Sequence, residues 1–320
     1  ETLQQLASFH RRQFPIPVIG ITGSNGKTTT KELVAAVLSG KKNVVYTEGN
    51  LNNHIGVPLT LLRINSETEI AVIEMGANHL GEIDFLCRLA LPDFGIITTI
   101  GKAHLEGFGS FEGVIRAKTE LYRFLAETGG TAFVNADNPL LVEQALLLNL
   151  KIITYGSRPG CDCLGQMIPE DPFLSFTWHA AAGSESHTVK TRLVGKYNFA
   201  NAMAAICTGL YFGIPEKDIC SAIEQYMPQN NRSQYHKSPY NELILDMYNA
   251  NPSSMEAALL HFASLPHPRK VAILGDMLEL GPYAGEEHMR ILNLAASLPV
   301  EKIITVGPEF AKVSKGEKTV

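Results

Sequence analysis

The residues of this chain best suited to chemistry stand near its start, in Thr22-Gly-Ser-Asn-Gly-Lys-Thr28. An apolar, β-prone run from Ile16 to Ile21 leads into this glycine-rich turn, and Lys27-Thr28 opens an amphipathic segment reaching Leu38. A strand, a glycine turn and a helix start form an anion cradle: backbone N–H groups and the positive helix end face a phosphate. Lysine adds a point charge and the threonine hydroxyl is a Mg²⁺ ligand. Gly23, Ser24, Asn25, Gly26, Lys27, Thr28 and Thr29 are therefore the phosphate-binding candidates. The general pattern G-x-x-x-x-G-K-[ST] asks for glycine at position 21; here that position is Ile21, with the nearest glycines at Gly20 and Gly23.

Other reactive side chains fall where further strands should end. Ile70–Ile73 and Phe94–Ile100 are continuous apolar runs, as expected of strands covered on both faces. The first ends at Glu74-Met-Gly76 and the second at Gly101-Lys-Ala-His104. In an open α/β sheet, ligands bind beyond the carboxyl ends of the strands. Glu74, His104 and the phosphate loop are thus expected on one edge. The stretch Thr47–Pro58 reads as a polar loop following strand Val44–Tyr46. Asn52, Asn53 and His54, with Asn50, are too polar to be buried cheaply, and line a ligand or meet solvent. Asn198 and Asn201 are three apart on one face at a helix start, which suits either capping or a ligand. Lys118 lies in a segment read as helical from Phe111 to Glu127, where a solvated lysine is the ordinary reading.

Those residues need a scaffold. At 320 residues the chain has room for two domains, and 45% hydrophobic against 18% charged residues is an ordinary globular composition. The expected fold is α/β: a phosphate-loop-bearing, mostly parallel sheet flanked by helices over 1–230, then a second, Rossmann-like α/β unit over 231–320. A short helix over residues 1–14 leads in. Strands at Thr131–Asn135 and Ile152–Tyr155 flank a helix from Pro139, and 157–194 reads as a hairpin-rich β insertion. Two helices follow, to Phe212 and from Glu216 to Tyr226, and Met227-Pro-Gln-Asn-Asn231 is the clearest linker. Beyond it, strands at Leu243–Met247, Val271–Leu274 and Lys302–Val306 alternate with helices Ser253–Ser264 and Gly285–Leu298, an order that predicts parallel βαβ units. Asp246-Met-Tyr-Asn-Ala-Asn251 and Gly275-Asp276 again put polar groups at strand ends.

Net charge near −5 with no basic stripe argues against nucleic acid as a partner. No run approaches the length of a membrane span, and no signal peptide is evident. Five cysteines, with only Cys161 and Cys163 close together, suit a reducing, cytoplasmic setting better than a disulfide framework.

In sum, the motifs resemble those of the Mur ligases, ATP-dependent enzymes that build amide bonds in the cell-wall precursor. The resemblance rests on Thr22–Thr28, Asn52-Asn-His-Ile-Gly-Val-Pro58, Glu74-Met-Gly-Ala77 with Gly81-Glu-Ile83, and His104-Leu-Glu-Gly-Phe-Gly-Ser110. Ala117-Lys-Thr-Glu120, Gly195-Lys-Tyr-Asn198, Tyr248-Asn-Ala-Asn-Pro252 and Leu274-Gly-Asp-Met-Leu-Glu-Leu-Gly281 follow in the family's order. It implies that Lys27 and the loop amides hold ATP's phosphates, that Thr28 and Glu74 serve one Mg²⁺, and that His104 and Lys118 serve a second. Lys118 would then be carbamylated, since a bare ammonium repels a cation. Asn198 and Asn201 would lie near the adenine, Asp246 near the ribose, and Arg232 on the nucleotide side. Within the family, the spelling at Glu74 and His104 is most like that of the enzymes that join D-Ala-D-Ala to UDP-MurNAc-tripeptide, acting as monomers. Another step of the same series and a folylpolyglutamate synthetase are the neighbouring readings. A non-catalytic ATP-binding subunit is the reading from another class, opposed by the joint presence of Lys27, Thr28, Glu74, His104 and Lys118. A guanine-reading N-K-x-D motif is absent. Family members also carry an N-terminal domain that grips the uridine diphosphate, and residues 1–15 are too few to form it. With the second α/β unit also short of a full sheet, the sequence reads as a fragment, expected to bind ATP better than it ligates.

Overall fold

The computed structural model describes residues 1–169, 172–180, 184–228 and 232–313. The linker residues 229–231 lie outside the described residues, as do residues 314–320.

The chain opens with α1 (Thr2–Arg11) and then alternates strand and helix. β1 (Val18–Thr22), α2 (Lys27–Ser39), β2 (Val44–Tyr46), α3 (Gly56–Leu61), β3 (Ile70–Glu74), α4 (Glu82–Ala90) and β4 (Phe94–Ile97) form the first half. Then come α5 (Leu105–Phe108), α6 (Phe111–Lys118), α7 (Glu120–Thr128), β5 (Thr131–Asn135), α8 (Pro139–Leu147) and β6 (Lys151–Gly156). Three strands, β7 (Cys163–Ile168), β8 (Phe173–His179) and β9 (His187–Val194), precede α9 (Asn198–Tyr211) and α10 (Glu216–Gln225). The remainder is β10 (Gln234–Lys237), β11 (Glu242–Leu245), α11 (Pro252–Ser264), β12 (Val271–Gly275), α12 (Ala284–Ser297), β13 (Lys302–Val306) and α13 (Pro308–Val313).

One nine-stranded sheet, in the order β2-β3-β1-β4-β5-β6-β7-β8-β9, carries the first part. Pairing is parallel from β2 through β7 and antiparallel from β7 to β9. The hairpin-rich stretch is therefore no separate insertion but the far edge of the same sheet. β1 and β3 are buried at all five positions, which is why they read as unbroken apolar runs. On one face, Leu33, Val37, Met203, Ile206 and Ile219 of α2, α9 and α10 pack against Ile19, Val72 and Phe133. On the other, α4 and α7 bring Ile83, Leu86, Leu121 and Leu125 to Ile73 and Ile97, and this core runs on into Leu259, Met277 and Ile291 of the C-terminal part.

Several boundaries differ from the expectation, each for a local reason. The Thr47–Pro58 loop ends in a helix, because the Asn53 side chain accepts from the N–H groups of Ile55 and Gly56 and starts α3 there. Pro58 falls in its first turn, where a missing N–H costs nothing. β4 stops at Ile97, because Thr98 and Thr99 turn their hydroxyls to the phosphate loop. The single helix expected over 111–127 is two, divided at Thr119, whose hydroxyl donates back to the Ile115 carbonyl at 2.8 Å. The run of parallel units expected beyond the linker holds only for β12 and β13. β11 pairs antiparallel with β10, a strand the sequence reading lacked.

Phe133 is fully buried and stacks on Phe94 at 6.0 Å between ring centres. Phe133→Ala is expected to cost about 3–5 kcal/mol of stability, read from the midpoint of urea unfolding; a shift below about 1 kcal/mol would mean the sheet closes over the gap.

Candidate active site

The phosphate loop is held by what surrounds it. Gly23 has φ +142° and a Cβ there would stand 2.1 Å from Thr98 Oγ1. Gly26, at φ +83°, precedes α2, and its Cβ would meet Asn201 Oδ1 at 2.6 Å. Only glycine fits the first position sterically and the second conformationally. Between them the Ser24 N–H donates to the Thr99 carbonyl at 2.8 Å and the Asn25 N–H to Thr99 Oγ1 at 3.0 Å. Thr98 Oγ1 donates to the Asn25 carbonyl at 2.6 Å, and Ser24 Oγ exchanges hydrogen bonds with the backbone of Gly101. The end of β4 thus fixes the loop before any ligand arrives. Lys27 Nζ donates to the loop's own carbonyls, Gly23 at 2.8 Å and Ser24 at 3.2 Å. Burial lowers its pKa, opposed by Glu74 and reinforced by Arg232.

Glu74, 1% exposed at the end of β3, is the anionic centre of this edge. Its Oε1 accepts from Thr28 Oγ1 at 3.2 Å and Asn52 Nδ2 at 2.7 Å. Its Oε2 is buried and has no hydrogen-bond partner. The nearest cation is Lys31 Nζ at 3.9 Å, whose side chain is itself fully buried and donates to the Gly49 carbonyl. Lys31 was not singled out from the sequence, where it reads as a helix-surface lysine. The available signal was its spacing: four residues after Lys27, it shares that residue's helix face.

Asn198 and Asn201 do not cap α9. Asn201 Nδ2 donates to Asn198 Oδ1 at 2.9 Å, Asn198 Nδ2 to the Val194 carbonyl, and Asn201 Oδ1 accepts from Thr30 Oγ1 at 3.1 Å. They tie α9 to the start of α2. From beyond the linker, Arg232 lies over the Tyr248 ring at 3.6 Å, with its Nε buried and unpartnered. Asp246 accepts from the Ser233 N–H at 3.3 Å; burial raises its pKa against that hydrogen bond and Arg232.

One cavity of about 630 Å³ unites these groups. It is lined by Ser24 through Thr29, Asn52, Asn53, His54, Glu74, His104, Asn198, Asn201, Arg232 and Asp246. Two expected residues stand apart. Gly23 is the loop's hinge rather than its surface. Lys118 is 1% exposed, behind the cavity wall, with Nζ donating to the Ala77 carbonyl at 3.3 Å and lying 5.1 Å from the Phe108 ring centre. His104 rests on the edge of the same ring, has φ +53°, and bonds Glu279 through Nδ1. Burial lowers its pKa, opposed by Glu279 and assisted by Lys118 and Lys27. Glu120 explains the neighbouring motif: its carboxylate accepts from the Gly81 and Asp84 N–H groups and caps α4.

The donors fit one divalent cation at Thr28 and Glu74, since a carboxylate with one oxygen on a threonine hydroxyl and the other orphaned is an incomplete oxygen ligand set. Around Lys118, no cluster of three His, Cys, Asp or Glu residues occurs among the described residues. An unmodified ammonium there does not fit a metal; a carbamate would.

Family comparison decides among the ATP-using architectures. Residues 21–209 match the Mur ligase middle domain and residues 231–318 the Mur ligase glutamate ligase domain. The chain belongs to the Mur ligase family. Within the family it is 40% identical over 316 residues to the UDP-N-acetylmuramoyl-tripeptide–D-alanyl-D-alanine ligase of Bacillus subtilis, covering 98% of this chain and 68% of that protein. The Escherichia coli enzyme of the same name is 36% identical, over 97% of this chain and 69% of its own length. Among solved structures, MurF from Acinetobacter baumannii superposes with a TM-score of 0.89 at 35% identity, over 97% of this chain and 68% of that one. MurF from Thermotoga maritima in complex with ADP gives 0.87 at 27% identity, over 100% and 73%. No helix of this Mur ligase chain is long and apolar enough to cross a membrane, among the described residues.

Burial, with Lys27 adding to it against Glu120 and Glu82, pulls the Lys118 pKa from its ordinary 10.5 down to about 7. A lowered lysine pKa means that the unfolded chain holds the proton more tightly, so folding is penalised as pH falls from the unfolded value to the folded one and uniformly below it. In CO₂-free buffer, where the amine is unmodified, Lys118→Met should therefore raise the urea midpoint more at about pH 6.5 than at about pH 9.5. A gain that grows with pH would contradict the buried-amine assignment.

Proposed function

We propose that this chain carries out ATP-dependent amide formation, joining D-Ala-D-Ala to the peptide carboxylate of UDP-MurNAc-tripeptide in peptidoglycan precursor synthesis. The observation that carries the reading is the single cavity in which the phosphate loop, Glu74 and the linker-distal Arg232 and Asp246 meet.

A carboxylate is a poor acyl donor because its leaving group would be an oxide. Moving the γ-phosphoryl group of ATP onto it gives an acyl phosphate; the free amine of D-Ala-D-Ala then attacks the carbonyl carbon, the C–O bond breaks, and phosphate leaves with the electron pair while the amine loses a proton. In this scheme Lys27 leaves the Gly23 and Ser24 carbonyls for the β- and γ-phosphates, and with the N–H groups from Asn25 to Thr29 stabilises charge on the transferring group. Thr28 and Glu74 would hold Mg²⁺, which supplies further charge neutralisation on the phosphates. Asn198, Asn201, Arg232 and Asp246 take the nucleoside side, and Asn52, Asn53 and His54 face the peptide substrate across the cavity.

Lys118 is assigned as a carbamate. A buried amine with a pKa of about 7 is neutral in a substantial fraction at physiological pH, so its lone pair can attack CO₂ and release a proton. The resulting carboxylate, with His104, would serve a second Mg²⁺. In this reading residues 1–230 supply the phosphate site and 231–320 the unit that closes over it. All the named residues come from one chain, so no second copy is required, and five free thiols suit a cytoplasmic setting.

The test is phosphate release by the full-length protein with ATP and UDP-MurNAc-tripeptide. Release should depend on D-Ala-D-Ala and fall by about 10²–10³ in Lys27→Ala, as for loss of one preorganised transition-state donor. Lys118→Ala should lose activity and regain part of it with added short carboxylic acids. Release without the dipeptide, or no effect of it, sinks the assignment.

A further inference from the structure

The phosphate loop touches the C-terminal unit through one side-chain pair that substrate chemistry does not require. Asn25 Nδ2 donates to Asn251 Oδ1 at 3.3 Å, and Asn251 Nδ2 donates back to Asn25 Oδ1 at 2.7 Å. The two residues are 226 positions apart, one in the loop and the other at the start of α11. Each is fixed from its own side. Asn251 is 6% exposed and forms a capping box, with Oδ1 accepting from the Ser254 N–H at 2.9 Å and Ser254 Oγ accepting from the Asn251 N–H at 3.1 Å. That cap sets the rotamer that aims Nδ2 at the loop. Asn25 is held by the backbone bonds to Thr98 and Thr99 described above. Alongside, the Lys102 N–H donates to Ser253 Oγ at 3.0 Å, and a Cβ on Gly101 would stand 2.7 Å from that hydroxyl. The α11 start therefore seats directly on the loop and on the segment that staples the loop.

We propose that Asn251 is a positioning residue for the phosphate loop, and that its reciprocal amide pair with Asn25 couples nucleotide binding to seating of the C-terminal unit. The inference rests on the ATP reading of the loop and deepens it. An amide pair joins two donors and two acceptors, so it is made fully when α11 is seated and lost when it lifts. If ATP spans the loop and the Arg232–Asp246 side, it binds the seated arrangement more tightly. ATP affinity then falls in proportion to the seated population that a variant loses. Ordering is local and cheap, because the cap sets the Asn251 side chain and Thr98 and Thr99 set the Asn25 backbone before the two meet.

Asn251→Ser separates this role from helix capping: serine caps as well as asparagine but cannot reach Asn25. ATP affinity is measured by titration calorimetry on the full-length protein, with thermal unfolding of the nucleotide-free protein alongside. Two hydrogen bonds of ordinary net strength predict a roughly tenfold weaker Kd in Asn251→Ser, with the unfolding temperature unchanged within about 2 °C. Asn25→Ala should weaken binding at least as much, and the double variant should be no weaker than Asn25→Ala alone, because one interaction cannot be lost twice. Additive losses, or an ATP affinity in Asn251→Ser equal to that of the unaltered protein, overturn the coupling and leave the ATP reading standing. No ATP binding by the unaltered protein overturns both.

Discussion

A carboxylate with one oxygen satisfied and one left bare governs this edge of the sheet. Glu74 ends a fully buried strand, spends Oε1 on Thr28 and Asn52, and leaves Oε2 without a hydrogen bond. Burying an unpaired anion is costly, and the chain offsets it only partly, with a lysine ammonium 3.9 Å away. Such an arrangement is stable enough to fold and incomplete enough to want a cation. The phosphate loop, the polar loop at Asn52 and the α2 start are all positioned by contacts to this one side chain or its neighbours.

Three strand ends make that possible. β1 delivers the loop, β3 delivers Glu74, and β4 delivers Thr98 and Thr99, which staple the loop's backbone; the three strands are adjacent in the sheet. Four basic side chains crowd the same region: Lys27, Lys31, Lys118 and Arg232. Each of the three lysines has its pKa pulled down, with burial as the largest cause. The field at the cavity is set for a polyanion, and Lys118 is pulled down to about 7. Interdomain contacts at Asn251, Ser253 and Glu279 then bring a second set of polar groups onto the loop and onto His104.

Much of this was legible in the sequence, for a physical reason. Strands buried on both faces must be apolar throughout, so β1, β3 and β4 announce themselves, and the chemistry-bearing residues follow directly after them. Boundaries set by a distant partner are silent. α4 begins at Glu82 because Glu120, dozens of residues later, caps it, and β4 ends at Ile97 because Thr98 reaches the loop. The strand β10 is short and polar, and it forms only because β11 lies beside it; nothing in Gln234-Tyr-His-Lys237 alone demands it. Lys31 escaped notice, and the pairing of Asn251 with Asn25 was not foreseen, because a helix lysine and an asparagine before proline have common surface roles. Their burial is a tertiary fact.

The central claim is that this edge moves a phosphoryl group from ATP onto a carboxylate. It is tested most directly by following oxygen. With ¹⁸O in the reacting carboxylate of UDP-MurNAc-tripeptide, and ATP and D-Ala-D-Ala supplied to the full-length protein, the released phosphate should carry one ¹⁸O atom per amide bond formed. Phosphate free of label, with amide formed, would contradict it, because ATP would then be cleaved without ever activating the acid.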